Sequence, residues 1–339
     1  MNNATLRLLG FVVAVLIAAL LLIEAADDSD LPGAGSLLFP EMREAANDID
    51  RITITRTGDT IVIEKRGDGW VVPERGNYSA DVAKIRAVLL AMTDATVVEA
   101  KTANPDLHAR LGVDSPDSEM SKGTAVAASA GETTYELIFG NVAQRSSRYA
   151  RIAGDNQSWL IDQNPDIPGE PGEWLNTDIV DVDSNRIRAV TILHPDGEMI
   201  SLGKETETAA NFTVSDIPEG RELSYATVAN GIGGALNDLD LDDVRTRVES
   251  ADPVITTFET FDAVRIVVDI STDDEGNWIG IDIQLPADVE IDNANEWRTT
   301  RERVDGWQYR IADYKANLLK RRWADILKAE EADEEAGDE

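Results

Sequence analysis

The sequence predicts an α+β fold in which an N-terminal transmembrane helix precedes two similar modules, each an antiparallel β meander with a packed helix. Three observations lead to this prediction. The first is an uninterrupted apolar run over residues 8–23. The second is the alternation of apolar and polar residues that begins at Ile49, and the third is a similar pattern that begins at Ile187.

The apolar run begins with Leu8, ends with Ile23, and lies between Arg7 and Glu24. A spanning helix needs about 20 residues, which flanking residues supply. The positive-inside rule then places the N-terminus in the cytoplasm and the bulk of the chain outside. A cleaved signal peptide is the alternative, but its apolar core is about 7 to 15 residues long and precedes a small-residue cleavage site, which "LLIEAADD" lacks. We therefore expect an uncleaved anchor in a bacterial inner membrane and a periplasmic body.

The first meander alternates at period two around a "TGD" turn and continues past a second turn, "RGDG". Ile52 and Ile54 are expected to face the core. A helix follows, with Ser79 as its predicted N-cap. Its apolar residues recur at helical spacing: Val82, Ile85, Val88, Leu89 and Met92.

The second meander repeats this pattern of elements. Aligning Ile49 with Ile187 places Ile52 on Val190 and Ile54 on Ile192. Internal duplication explains the similarity, and two unrelated α+β units that share common turn and strand patterns are the alternative. An apolar stripe at helical spacing predicts a C-terminal helix that includes residues 311–327.

These patterns divide the chain into six predicted segments. They are a cytoplasmic N-terminus with transmembrane anchor (1–24), a juxtamembrane spacer (25–48), a first α+β module (49–164), an acidic Pro/Gly-rich linker (165–186), a second α+β module with the C-terminal helix (187–328), and an acidic disordered tail (329–339).

Charge and cysteine content exclude several functions. The chain has 64 Asp and Glu against 31 Lys and Arg, so its net charge of −33 disfavours nucleic-acid binding. It has no cysteine, which excludes disulfides, thiolate zinc sites and a Cys nucleophile. His108 and His194 lack a neighbouring nucleophile motif, and we interpret them as surface or cap residues.

One acidic string has the spacing of a calcium loop. Asp238, Asp240 and Asp242 take positions one, three and five, and Glu249 takes position twelve. Position six requires glycine for its turn, but Asp243 occupies it. We interpret the string as structural, with a calcium site as the alternative. The nearby "NGIGGAL" is interpreted as small residues that let a helix pack closely, since it lacks the glycine spacing of a dinucleotide site.

The densest basic cluster comprises Lys315, Lys320, Arg321 and Arg322. We interpret these cations as complementing a helix C-terminus, where they lie against the protein's own acids. Contact with acidic lipid headgroups or with the acidic face of a partner is the alternative.

The order of motifs resembles the bacterial family known as domain of unknown function 4340. The resemblance rests on "RITITR" followed by "GDGWVV", then "LHARLGVDSP", the "YELIFGN" strand and the closing "WQYRIADYKANLLKRRWADIL". It implies a membrane-tethered accessory protein, because family members are often encoded beside ABC-type export systems that resemble gliding-motility and auxiliary transport permeases. It carries over no catalytic or cofactor-binding residue.

We therefore expect a non-catalytic, extracytoplasmic accessory or scaffold subunit of an ABC-type transport or envelope complex, with permease and ATPase partners and no cofactor. A periplasmic module that binds a ligand, a glycan or calcium is the alternative. A third hypothesis is an envelope hydrolase that uses two carboxylates.

Overall fold

The computed structural model describes residues 32–117, 120–144, 146–287 and 293–329. The predicted anchor over residues 8–23 and the acidic tail beyond residue 329 lie outside these ranges. Within these ranges, no helix has the length and hydrophobicity needed to cross a membrane.

The fold class is α+β, as predicted, with mostly antiparallel sheets and few helices. The strands are β1 (Arg51–Arg56), β2 (Asp59–Arg66), β3 (Gly69–Val72), β4 (Tyr78–Ser79), β5 (Val97–Ala100), β6 (Thr124–Ala130), β7 (Thr133–Gln144), β8 (Ser147–Ile152), β9 (Ser158–Ile161), β10 (Asp178–Val180), β11 (Ile187–Leu193), β12 (Met199–Gly203), β13 (Thr213–Ser215), β14 (Leu239–Asp240), β15 (Asp243–Thr246), β16 (Val254–Thr260), β17 (Arg265–Asp273), β18 (Gly276–Gln284) and β19 (Trp307–Ile311). The α-helices are α1 (Pro40–Ala45), α2 (Val82–Thr93), α3 (His108–Leu111), α4 (Val228–Gly233), α5 (Ala294–Val304), α6 (Asp313–Leu319) and α7 (Trp323–Ile326).

The chain divides into two compact units. The first comprises the chain up to Thr60 together with Arg86–Ile167, and the second comprises Ile61–Ile85 together with the chain from Pro168 onward. Each predicted module is continuous in sequence. In this division, by contrast, the segment Ile61–Ile85 belongs to the same unit as the chain from Pro168 onward.

The first unit contains six strands in the order β1-β6-β7-β8-β9-β5. Ile52 and Ile54 pair with Ala128 and Val126 of β6 and are fully buried, as the alternation predicts. Side chains on one face of a strand recur every second residue, so burying one such face requires this pattern.

The second unit contains an eight-stranded sheet in the order β13-β12-β11-β16-β17-β18-β19-β15. Val190 and Ile192 of β11 pair with Phe258 and Thr256 of β16, and both aliphatic side chains are buried. A separate two-stranded sheet pairs β10 with β14.

The segment Ile61–Ile85 holds β3, β4 and nearly all of β2. Ala80 forms an isolated bridge with Leu175, and the amide of Asp81 donates to the carbonyl of Trp174 at 2.7 Å. Trp174 and Leu175 are fully buried, although they lie in the predicted linker. Part of this region is therefore packed structure.

The predicted N-cap of α2 is wrong by two residues. The carboxylate of Asp81 accepts hydrogen bonds from the amides of Ala83 at 2.8 Å and Lys84 at 3.2 Å. Ser79 lies in β4, and its carbonyl accepts from the amide of Asn176. Strand pairing therefore holds Ser79 outside the helix, and the next side chain able to cap is Asp81.

The predicted C-terminal helix is interrupted. Ile311 ends β19, which pairs with β18, and α6 and α7 are separate short helices. Between them Arg322 adopts an extended backbone conformation, and its amide donates to the carboxylate of Asp325 at 2.9 Å. This side-chain acceptor satisfies a backbone donor at the start of a new helix, which favours the break.

The glycines of "NGIGGAL" behave as predicted. Gly231 and Gly233 lie in α4, and a Cβ on Gly233 would come within 2.1 Å of the Phe212 ring. The helix therefore approaches this ring at a distance that only glycine allows.

Candidate functional site

An acidic cavity of about 680 Å³ lies in the second unit. Strands β10 and β14 and helix α5 supply much of its lining. The lining residues are Asp178, Val180, Asp181, Val182, Asp238, Leu239, Asp240, Glu296, Trp297, Thr300 and Arg303. Five carboxylates against one guanidinium give this surface a strongly negative charge.

Backbone pairing brings distant carboxylates together in this cavity. Asp178 is the register partner of Asp240 across the β10–β14 pair, and an irregularity in register follows between Asp178 and Val180. Asp238 has a left-handed backbone with φ of 42°, and its amide donates to the Asp181 carboxylate at 3.0 Å. The carboxylates of these four aspartates form no ion pair within the described part of the chain.

The charges around the acidic cavity affect the pKa of Asp240 and of Lys315. Burial raises the pKa of Asp240, and the negative charges of Asp178 and Asp238 raise it further. Burial lowers the pKa of Lys315, whereas Asp238, Asp240 and Asp181 oppose that change. Like charges in proximity destabilise the ionised carboxylates, so a cationic ligand would relieve their repulsion.

Helix α5 contributes an aromatic residue and a cation to the lining. The Trp297 side chain is almost completely buried, and the Arg186 guanidinium lies 4.7 Å from its ring centroid. Arg303 donates to the carbonyls of Asp178 at 3.3 Å and Ile179 at 2.8 Å. These bonds connect α5 to β10 and direct the guanidinium of Arg303 to backbone oxygens.

The predicted calcium string is divided among different surroundings. Asp238 and Asp240 line the acidic cavity, Asp242 lines a smaller pocket beside β18 and β19, and Glu249 is in neither lining. Over the described ranges, no group of three or more His, Cys, Asp or Glu side chains is arranged to hold a metal ion.

The basic cluster is also divided. Lys320, Arg321 and Arg322 line one groove of about 570 Å³ together with His194, Val254, Asn317 and Asp325, and this set is called the basic groove below. Lys315 is buried elsewhere, and its ammonium donates to the carbonyls of Ala235 and Asn237. Lys315 therefore supports the chain around Asp238 and Asp240 instead of presenting its charge in the groove.

Both histidines are buried, so the prediction of a surface position is wrong for each, whereas His108 is the C-cap of a short 3-10 helix, Pro105–Leu107. Nε2–H of His108 donates to the carbonyl of Asn156 at 2.8 Å, and Nε2–H of His194 donates to the carbonyl of Arg321 at 3.0 Å. A turn-rich sequence context indicates exposure, but tertiary contacts cover these two rings.

Sequence reasoning missed Asp178, Asp181, Trp297 and Arg303 as cavity residues. A local signal was present in "NTDIVDVDSN", where apolar residues alternate with acids as in a short strand. Its pairing with β14, which creates the cavity, has no signature in the local sequence.

A family model described as a domain of unknown function, DUF4340, matches residues 70–259 of the 339-residue chain. The matched segment includes Asp178, Asp181, Asp238 and Asp240, and it ends before Trp297 and the segment 320–322. No curated protein and no solved structure matches the chain significantly. The resemblance predicted from the motifs is confirmed, and this chain belongs to the DUF4340 family.

Proposed function

We propose that this protein is a non-catalytic accessory or scaffold subunit of an ABC-type transport or envelope complex, anchored in the bacterial inner membrane with its body in the periplasm. The observation that carries the proposal is the apolar run from Leu8 to Ile23, with Arg7 before it and acids after it. The sheet-rich body that follows offers surface for contact with the permease, through which it would associate with the ATPase.

We infer that the body consists of two duplicated modules. The strand order β1-β6-β7-β8-β9-β5 in the first unit corresponds position by position to β11-β16-β17-β18-β19-β15 in the second. In each set, the last strand comes after a helix along the chain, directly after α2 in the first and after α4 and the short strand β14 in the second. Superposing the two sets should place Ile52 and Ile54 on Val190 and Ile192, whereas placement on opposite faces would contradict duplication.

The test of the accessory role is purification of the tagged full-length protein from native membranes after gentle solubilisation. Mass spectrometry should identify an ABC-type permease and its ATPase among the co-purified proteins. The matched control carries a cleavable signal peptide in place of residues 1–24, so that the same body is released from the membrane. Recovery of the anchored protein without a transport component would refute the proposal.

Ligand binding in the acidic cavity is the second candidate function. It is favoured by the cavity volume of about 680 Å³ and by four aspartates without ion pairs within the described chain. Because the carboxylates are distributed over several elements, we propose an organic cation with separated ammonium groups as the ligand class.

Calorimetric titration of the detergent-solubilised full chain with spermidine tests this candidate. The double variant Asp178→Asn/Asp240→Asn should weaken binding about tenfold or more, since each substitution removes a charged acceptor. Asp274→Asn, which alters an exposed acid outside the cavity lining, is the matched control. Absence of spermidine binding would reject this candidate, and binding of calcium chloride alone would favour a metal site instead.

A further inference from the structure

We propose that the basic groove is a binding site for a phosphate-type anion, either a soluble phosphomonoester or the phosphodiester of a lipid headgroup. The site lies within the second unit and is defined by Lys320, Arg321 and Arg322 together with His194 and Asn317. The proposal does not depend on the anchor or on a transport partner.

The charge of the groove differs from that of the chain. Its lining has three cationic side chains and one carboxylate, although acids outnumber bases by 64 to 31 overall. The acidic cavity of the same unit has the opposite balance. Lys320 and Arg321 carry the positive charge of the groove that no carboxylate of the described residues pairs with, since Arg322 forms ion pairs with Asp196 and Glu198. Such charges on a concave surface attract ligands of the opposite sign.

Arg321 is the central residue of the proposed site. Its side chain is partly exposed, and within the described chain its guanidinium forms no ion pair and no hydrogen bond. A guanidinium presents five donors in a planar arrangement that matches two phosphate oxygens at once. In a protein with an excess of acids, a groove-lining arginine without a carboxylate partner is available to an external anion.

Lys320 adds a second positive charge whose contacts are neutral. Its ammonium donates to Asn277 Oδ1 at 2.6 Å and lies 3.4 Å from Thr272 Oγ1. These oxygens hold the side chain in place without neutralising it, and no carboxylate pairs with it among the described residues. An ammonium held by neutral oxygens and an unpaired guanidinium in the lining of one groove offer several charge-assisted donors to an anion.

Arg322 and the groove's carboxylate are already engaged. The Arg322 guanidinium forms ion pairs with Asp196 at 2.8 Å and Glu198 at 2.6 Å. Asp325 accepts a hydrogen bond from the amide of Arg322. These contacts fix the backbone of the segment 320–322, so Arg322 serves as support and Asp325 is committed to capping α7.

His194 fixes the backbone of Arg321. Because the carbonyl of Arg321 can only accept, Nε2 of His194 must carry the proton in their 3.0 Å hydrogen bond. The His194 ring is buried, so this contact anchors the main chain at the residue whose side chain remains without a partner. A fixed backbone reduces the entropy lost when the guanidinium binds a ligand.

The test uses the detergent-solubilised full chain and two kinds of probe. Calorimetry with glycerol 3-phosphate measures binding of a soluble phosphomonoester. Fluorescence titration with short-chain phosphatidylglycerol in micelles of a phosphate-free maltoside detergent measures binding of a lipid phosphodiester, with the maltoside micelles alone as the blank. Binding to either probe supports the site, and the probe that binds more tightly identifies the source of the phosphate.

Arg321→Ala should weaken binding about tenfold or more, because it removes charge-assisted contacts to the anion. Folding should be unaffected, since the side chain makes no hydrogen bond in the described chain and the carbonyl that anchors His194 remains. Arg321→Lys should retain part of the affinity. Arg86→Ala, which removes an exposed arginine elsewhere, is the matched control and should bind as the unmodified protein does.

Two results would overturn the proposal. The first is no binding of either probe, and the second is equal affinity in the unmodified protein and Arg321→Ala. If the first result is accompanied by binding of an oligoglutamate peptide, the groove is assigned to an acidic protein partner.

Discussion

The rings of Tyr78 and Trp307 meet edge to face, with centroids 5.2 Å apart and an interplanar angle of 82°. The ring of Tyr309 also meets that of Tyr78, at 5.9 Å and 74°. Gly76, with φ of +67°, allows this packing, because a Cβ there would lie 3.3 Å from the Trp307 ring. The three aromatic rings therefore pack the segment Ile61–Ile85 against β19 within the second unit.

Removing the Tyr78 ring should therefore destabilise the second unit. We expect Tyr78→Ala to lower the free energy of unfolding by about 3 kcal/mol, since the buried ring leaves a cavity. Tyr78→Phe keeps the edge-to-face contact and should cost less than about 1 kcal/mol. Urea unfolding followed by tryptophan fluorescence measures both variants, and equal losses would show that the hydroxyl contributes more than the ring.

Substitutions at Asp81 and Ser79 test which of the two residues caps α2. Asp81→Ala removes the acceptor for the amides of Ala83 and Lys84, so we expect a loss of about 1 kcal/mol in the free energy of unfolding. Ser79→Ala, at the position that local sequence favours, should have a smaller effect because Ser79 pairs in β4 through its backbone. Thermal melts followed by circular dichroism test the ranking, and the reverse order would contradict the assignment.

The close approach of α4 to Phe212 predicts different outcomes at adjacent glycines. Gly233→Ala places a Cβ about 2.1 Å from the ring and should destabilise the protein by about 2 kcal/mol, as the helix or the ring must shift. Gly234→Ala meets its nearest atom, the carbonyl oxygen of Asn230, at 3.4 Å and should change stability little. Equal unfolding midpoints for the two variants in urea would contradict this packing.

Neutralising Asp240 should stabilise the protein in a pH-dependent manner. Because the folded pKa of Asp240 is raised above its ordinary value of 3.8, its ionised form costs stability at neutral pH. Asp240→Asn should therefore raise Tm at pH 7. The gain should shrink as pH falls through the folded pKa and disappear below pH 3.8, where Asp240 is protonated in both folded and unfolded chains.

Scanning calorimetry across this pH range measures the difference in Tm between Asp240→Asn and the unmodified protein. Asp274→Asn is the control for removing one negative charge from an exposed position. A gain at pH 7 of the same size in both variants would attribute the effect to net charge. The facing charges of Asp178, Asp238 and Lys315 would then have no specific role.

Local patterns predicted the parts of this protein that depend on neighbouring residues. Alternation identified Ile52, Ile54, Val190 and Ile192 as core residues, and all four are buried. The prediction failed where a distant element competes with the local signal. Ser79 has the chemistry of an N-cap, but strand pairing takes it out of the helix, and the stripe that starts at Ile311 loses this residue to β19, which pairs with β18.

The sequence by itself determined the strand-rich α+β class, the acidic character and the family, because composition, periodicity and motif order are properties of the linear chain. Only the tertiary structure decided which of 64 acids share a cavity and which cations share a groove. Period-two alternation indicates that a strand has one buried face, but it does not identify the neighbouring strand with which it pairs. The pairing of Asp178 with Asp240 and the contact of His194 with Arg321 therefore arise only when distant segments fold together.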